Sequence, residues 1–319
     1  MTIDYAALTK DCKTQNQFNR VHINLENVMT PSEFSALAAD AQAGLLPDQA
    51  TKWLDGWITL CPTLVSSPEP YIREEVSPTL TWLRPARHSG SRPRVLIGFC
   101  GNADRLMLPL ALVLQALPVA EWDVLRVTRS SFVQKERSNW TIQAWLSKLK
   151  VAVQGDNAAG KGSTARHYLR PGRERADLKA LVRHVRRVVD GVPPADIVCL
   201  GTSSGSNAAL LVARLLRAHR CVTVGGRMTE AFYKLWSRRI GFYPRKGPDL
   251  IHACGADHPS DLVNAQQLVA RLGGRLVAFQ GVATHSIFHS LLQMDRFINM
   301  LDPLMQGHPL PIGIAQDVH

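Results

Sequence analysis

The sequence predicts an α/β fold, in which a mostly parallel sheet is flanked by helices and preceded by a helical N-terminal extension. From residue 93 onward, short apolar runs alternate with segments of helical periodicity, which is the order of a parallel sheet with helical crossovers. The run RVLIGFC (94–100) and its counterparts are apolar throughout, as strands covered on both faces are. Residues 1–92 lack this alternation and carry helical signals instead.

The elements of the α/β region follow from these patterns. The predicted strands are 94–100, 122–128, 196–201, 221–226, 248–255 and 274–281, and the predicted helices are 106–117, 177–190, 207–219 and 261–274. In the helix at 177–190, leucines and valines fall on one face and arginines on the other, and Gly191 ends it.

The first part of the chain begins its helices with clear start signals. Thr30, Pro31 and Glu33 form a capping box with proline at the first helical position, and Gly44 is a helix stop. A second helix is predicted over 48–61. We therefore divide the chain into a helical extension (1–92) and an α/β domain (93–319), which carries a basic excursion at 129–176.

Composition narrows the class of protein. An apolar content of 45% and a charged content of 20% in 319 residues indicate a globular protein. The net charge of +11 favours an acidic substrate, a polyanion or an anionic membrane surface as partner. The alternative is that the basic residues only form a solvated surface. Aromatic residues do not interleave with the basic clusters, which argues against nucleic acid as a partner.

Targeting signals and cysteines point to the compartment. The N-terminus has no basic stretch leading into an apolar run, and no apolar window is long enough for a transmembrane segment. The six cysteines are scattered and show no ligand spacing, so we expect free thiols, a cytoplasmic location, and neither a structural metal nor a cofactor.

One segment resembles a phosphate-binding loop. In QGDNAAGKGST (154–164), Gly155, Gly160 and Lys161 fit the spacing G-x-x-x-x-G-K. Gly162 stands where the motif needs a hydroxyl for magnesium, and the following residues lack helical periodicity. We therefore favour a basic loop over a nucleotide site.

The stretch IVCLGTSSGSNAALLVARLL (197–216) carries a stronger signal. Gly201 and Gly205 frame Ser203 in the pattern G-x-S-x-G, directly after a predicted strand and before a predicted helix. This context places a serine on a sharp turn, where it is exposed and close to backbone amides. A nucleophilic serine also needs a base and an orienting carboxylate. His285 and Asp257 each follow a downstream apolar strand, with Asp261 as the alternative acid.

In this order of serine, acid and histidine, residues 93–290 resemble the α/β-hydrolase superfamily. The resemblance implies a triad of Ser203, Asp257 and His285, and an oxyanion hole formed by the amides of Ser204 and Asn102, with Gly101 and Ala103 as alternatives to Asn102. His258, His289 and Asp249 are expected to be bystanders. The alternative interpretation of His285 is a surface histidine, and that of Asp257 is a helix cap.

The resemblance implies a serine-dependent carboxylic ester hydrolase that acts through an acyl-enzyme on a small-molecule or glycan ester, and the net charge of +11 suits an anionic one. The segments FCGNADRLMLP and GTSSGSNAALL also resemble hydrolase-like proteins of bacterial surface-polysaccharide pathways, some of which transfer acetyl groups to sugars. An O-acyltransferase is therefore the first alternative. The second is a non-catalytic binding or assembly protein on the same fold.

Overall fold

The described residues form a nine-stranded sheet with helices on both faces, as seen in a computed structural model. The structure describes residues 3–63, 71–77, 79–86, 93–101, 104–119, 121–128, 173–227, 247–310 and 315–318. The strands are β1 (Tyr71–Ser77), β2 (Leu80–Pro85), β3 (Arg94–Phe99), β4 (Trp122–Val127), β5 (Ile197–Thr202), β6 (Arg220–Val224), β7 (Asp249–Gly255), β8 (Arg275–Phe279) and β9 (Ala315–Val318).

The sheet has the order β1-β2-β4-β3-β5-β6-β7-β8-β9. From β4 to β8, each pair of neighbours is parallel, whereas β1, β2 and β9 join antiparallel to their neighbours at the two edges. β5 is central, so the carboxyl end of β5 is flanked by the ends of other parallel strands. Such an end is where the sites of open α/β sheets lie.

The helices are α1 (Tyr5–Thr9), α2 (Gln15–Glu26), α3 (Pro31–Gln42), α4 (Asp48–Leu60), α5 (Leu110–Gln115), α6 (Arg173–Val188), α7 (Ser206–Leu216), α8 (Pro259–Leu272), α9 (Ile287–Gln293) and α10 (Phe297–Gln306). The capping box predicted at α3 is confirmed, because the Glu33 carboxylate accepts from the Thr30 amide at 2.9 Å and the Thr30 hydroxyl accepts from the Glu33 amide at 3.4 Å.

Two apolar layers cover the sheet, because successive strand residues point to opposite faces. In β3, Leu96 packs in the layer formed with α1–α5, α9 and α10, while Val95 and Ile97 pack in the layer formed with α6 and α7. α8 lies on the same side as α6 and α7 and covers β7 and β8. The predicted α/β fold with a mostly parallel sheet and N-terminal helices is confirmed.

The N-terminal region contains two strands in addition to the predicted helices. Its helices end at Leu60, and β1 and β2 continue the sheet that the α/β region forms. The N-terminal helices also share one core with the sheet, since Leu25, Phe34 and Leu54 are buried in the same layer as Leu96. A boundary at residue 92 therefore does not separate two cores. Most of the predicted excursion at 129–176, including the phosphate-loop-like segment, lies outside the described residues.

Candidate functional site

Ser203 lies on a tight turn at the carboxyl end of β5. The turn is a single 3₁₀ turn, Ser203–Gly205, which leads directly into α7. Ser203 has a φ of 49°, a left-handed conformation that is uncommon for a residue with a side chain. The predicted strand–turn–helix context of the G-x-S-x-G motif is therefore present in the structure.

Both glycines of the motif are required by close packing. A Cβ on Gly201 would lie 2.6 Å from the Ser206 Cα and 2.7 Å from the Ala209 Cβ, so β5 and α7 could not approach as they do. A Cβ on Gly205 would lie 2.3 Å from the carbonyl oxygen of Phe99 at the end of β3. The glycines thus allow the turn to pack against two neighbouring elements at once.

His285 contacts the serine directly. It lies in the loop between β8 and α9, and its Nε2 is 2.9 Å from the Ser203 Oγ. Gly225, at the end of β6 with a φ of 57°, lies against this ring, because a Cβ there would be 3.1 Å from the His285 Cε1. The structure thus brings together the serine and the histidine that the sequence predicts to pair.

The carboxylate that reaches the histidine is that of Asp261. Its Oδ2 and Oδ1 lie 2.8 and 3.0 Å from the His285 Nδ1. Asp261 is in the first turn of α8, where the helix dipole favours a negative charge, and its side chain is only 5% exposed. A buried carboxylate with a fixed partner can hold the imidazole in one tautomer, with a proton on Nδ1.

Asp257, the expected acid, is not the carboxylate that the structure places against His285. The Asp257 Oδ2 accepts a hydrogen bond of 2.9 Å from the Gly281 amide, and the Asp257 amide donates to the Val282 carbonyl. Asp257 therefore ties the loop after β7 to the loop after β8. The chain needs four further residues to turn into α8 before a carboxylate faces the histidine ring.

The electrostatic setting of His285 follows from Asp261. The hydrogen bond that His285 Nδ1 donates to the Asp261 carboxylate raises the pKa of His285 above its usual 6.5; partial burial opposes this rise, and the Asp261 charge adds to it. The imidazolium is thereby stabilised, which is the charge state that a general base reaches when it takes a proton.

The expected oxyanion hole is described only in part. Ser204 follows the nucleophile in the 3₁₀ turn and is half-buried, whereas Asn102 and Ala103 lie outside the described residues. Gly101 lies directly against the turn, because a Cβ there would be 2.8 Å from the Thr202 carbonyl oxygen and 3.2 Å from the Ser203 Cβ. The chain after β3 thus begins beside Ser203, which is where the expectation places a second amide donor.

Of the three expected bystanders, two have partners other than Ser203, His285 and Asp261. Asp249 begins β7 at the opposite end of the sheet and pairs with Arg220 at 2.7 Å. His289 lies on α9 with its ring edge-on to Trp57. His258 is closer than expected: it caps α8, its Nδ1 accepts from the Asp261 amide at 3.3 Å, and it lies 3.4 Å from the Asp261 carboxylate.

Sequence reasoning missed Gly225 and His258 as neighbours of the site. The signal for His258 was its place directly before Pro259, because a residue preceding proline at a helix start is a capping position. For Gly225, the sequence signal was only the pair of glycines that ends the VTVGG run.

Metal and membrane features can be stated for the described residues alone. Among them, no group of three or more His, Cys, Asp or Glu side chains is arranged to hold a metal ion. No described helix is long and apolar enough to span a membrane. The six cysteines are free thiols, and all are buried apart from the half-buried Cys12.

The sheet order, the serine on a strand–turn–helix elbow and the sequence order of serine, acid and histidine define a chain with the α/β-hydrolase fold. No protein-family model matches the chain, and no curated protein matches it.

Several solved structures are similar to it. A dienelactone hydrolase from Anabaena variabilis is 14% identical, with a TM-score of 0.41 over 72% of this chain and 97% of that one. An esterase of the bacterial hormone-sensitive lipase family is 13% identical, with a TM-score of 0.41 over 92% and 98% of the two chains. A hormone-sensitive lipase from a metagenome library is 12% identical, with a TM-score of 0.45 over 88% and 98%.

Proposed function

We propose that this chain is a serine-dependent carboxylic ester hydrolase with a triad of Ser203, His285 and Asp261. The observation that carries the proposal is the continuous line of hydrogen bonds from Ser203 Oγ to His285 Nε2 and from His285 Nδ1 to the Asp261 carboxylate. Each of these distances, between 2.8 and 3.0 Å, is within the range of direct proton transfer or orientation.

The reaction would proceed in two steps. His285 accepts the proton of Ser203 as its oxygen attacks the acyl carbonyl, and the resulting imidazolium is stabilised by Asp261. The proton on Nε2 then passes to the leaving alcohol, so an acyl-enzyme and a free alcohol form. Water, deprotonated by His285, releases the acid and restores the serine.

The oxyanion of each tetrahedral intermediate needs two backbone donors. We assign one to the Ser204 amide, since Ser204 directly follows the nucleophile in the 3₁₀ turn before α7, and the other to the amide of Asn102, which follows Gly101 in the sequence. Each donor of this kind contributes about 3 kcal/mol to transition-state stabilisation.

The proposal is tested with p-nitrophenyl acetate and butyrate and a fluorophosphonate probe. We expect the wild-type protein to hydrolyse the esters and to be labelled at Ser203, and Ser203→Ala and His285→Ala to lose both properties with unchanged thermal unfolding. A folded wild-type protein that neither turns over the esters nor takes the label contradicts the proposal. That result favours the non-catalytic binding or assembly protein.

O-acyl transfer is the second candidate, and the net charge of +11 is the observation that favours it, since a basic protein suits an anionic glycan or a nucleotide-linked donor. The acyl-enzyme is common to both reactions, and only the attacking hydroxyl differs. Adding an acceptor sugar during ester turnover separates them: transfer diverts the acyl group from free acid to the sugar, and hydrolysis does not.

The free cysteines support a cytoplasmic location for the protein. In an oxidising compartment, disulfides would be expected to persist, whereas six unpaired and mostly buried thiols fit a reducing one. Cell fractionation tests this part of the proposal.

A further inference from the structure

A buried carboxylate lies at the end of α2, in the N-terminal helical layer. The Glu26 side chain is 5% exposed, and its Oε1 accepts hydrogen bonds from two indole groups of α4: Trp53 Nε1 at 2.7 Å and Trp57 Nε1 at 2.8 Å. A buried charge is retained only where it is paired and hydrogen-bonded. Glu26 has both kinds of partner, since it also forms an ion pair with Arg105.

Arg105 links this cluster to the nucleophile turn. Its guanidinium pairs with Glu26, and its backbone carbonyl accepts two hydrogen bonds. One comes from the Gly101 amide at 2.8 Å and the other from the Thr202 Oγ1 at 3.2 Å. Thr202 directly precedes Ser203, and its side chain is fully buried. The main chain of Arg105 is therefore in direct contact with the residue before the nucleophile.

The loop that contains Arg105 has a strained backbone. Asp104 and Met107 have φ values of 55° and 66°, which residues with side chains seldom adopt. Such conformations persist only where the surroundings fix them. One fixing contact comes from the sheet, where the Arg126 guanidinium of β4 donates to the Asp104 carbonyl at 2.8 Å, and the other is the Glu26 pair.

We propose that Glu26 is a positioning residue: together with Trp53 and Trp57 it holds Arg105, and through the Arg105 carbonyl it fixes Thr202 and the turn that presents Ser203. The inference rests on the proposed ester hydrolase for its catalytic consequence. Its structural consequence, a less rigid turn when Glu26 loses its charge, is independent of that function. The N-terminal helices thereby act on the nucleophile turn through Arg105.

The test compares Glu26→Gln with Glu33→Gln. Glu33 is a matched control, because it is also a poorly exposed carboxylate of the N-terminal layer, it pairs with Arg73 at 2.5 Å, and glutamine serves equally in its capping box. Its partner lies on β1, away from the turn. Both substitutions remove a charge from a Glu–Arg pair and keep a hydrogen-bond acceptor.

The first measurement is amide hydrogen exchange of residues 201–207 at a temperature below the thermal unfolding transition of each variant. We expect exchange to be about tenfold faster in Glu26→Gln than in the wild-type protein, and unchanged in Glu33→Gln. Equal exchange in the two variants overturns the inference, whether or not the protein is an enzyme.

The second measurement is the rate of ester turnover and of fluorophosphonate labelling. A displacement of the serine of the order of 1 Å slows the chemical step by up to about 100-fold. We expect Glu26→Gln to lower kcat at least tenfold with little change in KM, and Glu33→Gln to lower neither. Thr202→Val, which removes the hydroxyl at constant shape, should lower kcat in the same way. Thr202→Ser keeps the hydroxyl and should have nearly the wild-type kcat.

The outcomes separate the two proposals. Wild-type activity with equal kcat in Glu26→Gln, Glu33→Gln and Thr202→Val overturns the positioning role and leaves the hydrolase intact. A folded wild-type protein without activity or labelling contradicts the hydrolase, and the exchange measurement alone then decides the role of Glu26.

Discussion

Replacing Asp261 by asparagine should abolish most of the activity, whereas the same change at Asp257 should have little effect. Both oxygens of Asp261 are within 3.0 Å of the His285 Nδ1, so either orientation of an asparagine amide changes this contact. With the amide NH₂ toward Nδ1, the ring must carry its proton on Nε2. It then cannot accept the proton of Ser203.

The expected loss of activity in each variant follows from the hydrogen bond that its aspartate makes. Asp261→Asn loses the charge that stabilises the imidazolium and allows the wrong tautomer, a combination that lowers kcat by about 10⁴, or about 5.5 kcal/mol. Asp257→Asn keeps an oxygen able to accept the 2.9 Å bond from the Gly281 amide. The cost there is about 0.5 kcal/mol, which is about a twofold change in rate.

The assay is kcat/KM for p-nitrophenyl acetate over pH 5 to 9. The general base must be neutral, so activity rises with pH. The Asp261 hydrogen bond raises the pKa of His285, so the wild-type midpoint should lie above 6.5. The residual activity of Asp261→Asn should titrate at a lower pH, because the largest cause of the rise is gone. A loss of 100-fold or more in Asp257→Asn, with Asp261→Asn nearly active, would refute this assignment of the acid.

Three further predictions concern single residues. Gly225→Ala adds a Cβ 3.1 Å from the His285 Cε1 at a φ of 57°, so it should lower kcat about tenfold or more while KM stays within about twofold in steady-state kinetics. Gly205→Ala puts a Cβ 2.3 Å from a β3 carbonyl oxygen and should lower the free energy of unfolding by about 3 kcal/mol or more in urea titrations; a stable variant would contradict the packing argument. Burial lowers the pKa of His252 from 6.5 to about 4, so the folded state binds a proton at this residue less readily than the unfolded state. Above pH 6.5 the residue is neutral in both states and costs no stability. As pH falls from 6.5 toward 4, the free energy of unfolding should fall by about 3 kcal/mol because only the unfolded state gains the proton. Urea titrations of His252→Gln should show a shallower decline of the free energy of unfolding over this pH range.

The α/β region was predictable because its strands are buried on both faces. A run such as DIVCLG needs no knowledge of its neighbours to be recognised as a strand, and β5 lies at Ile197–Thr202, close to the predicted 196–201. β1 and β2 gave no such signal. β1 is an edge strand whose sequence YIREEVS is largely exposed, so it has neither a continuous apolar run nor a strict alternation.

The sequence predicts the residues of the site that follow the ends of strands. It does not predict those whose placement depends on the direction in which a loop turns. Ser203 and His285 are fixed by the ends of β5 and β8, which the sequence places well. The choice between Asp257 and Asp261 depends on how the chain turns into α8 after β7, which no spacing rule encodes. The contact of Glu26 with Arg105 joins residues from distant parts of the chain and has no sequence pattern at all.

The two aspartates after β7 have separate structural roles that together place His285. Asp257 binds the Gly281 amide, and Gly255 allows the end of β7 to approach the Val282 carbonyl, where a Cβ would be only 2.3 Å away. These contacts fix the loop that carries His285, and Asp261 then fixes the ring itself. Loss of the Asp257 contact should therefore loosen the histidine loop without changing the tautomer of the ring. In Asp257→Ala, which removes the acceptor that Asp257→Asn keeps, this would show as a lower thermal stability at nearly unchanged kcat, which is the opposite of the pattern expected for Asp261→Asn.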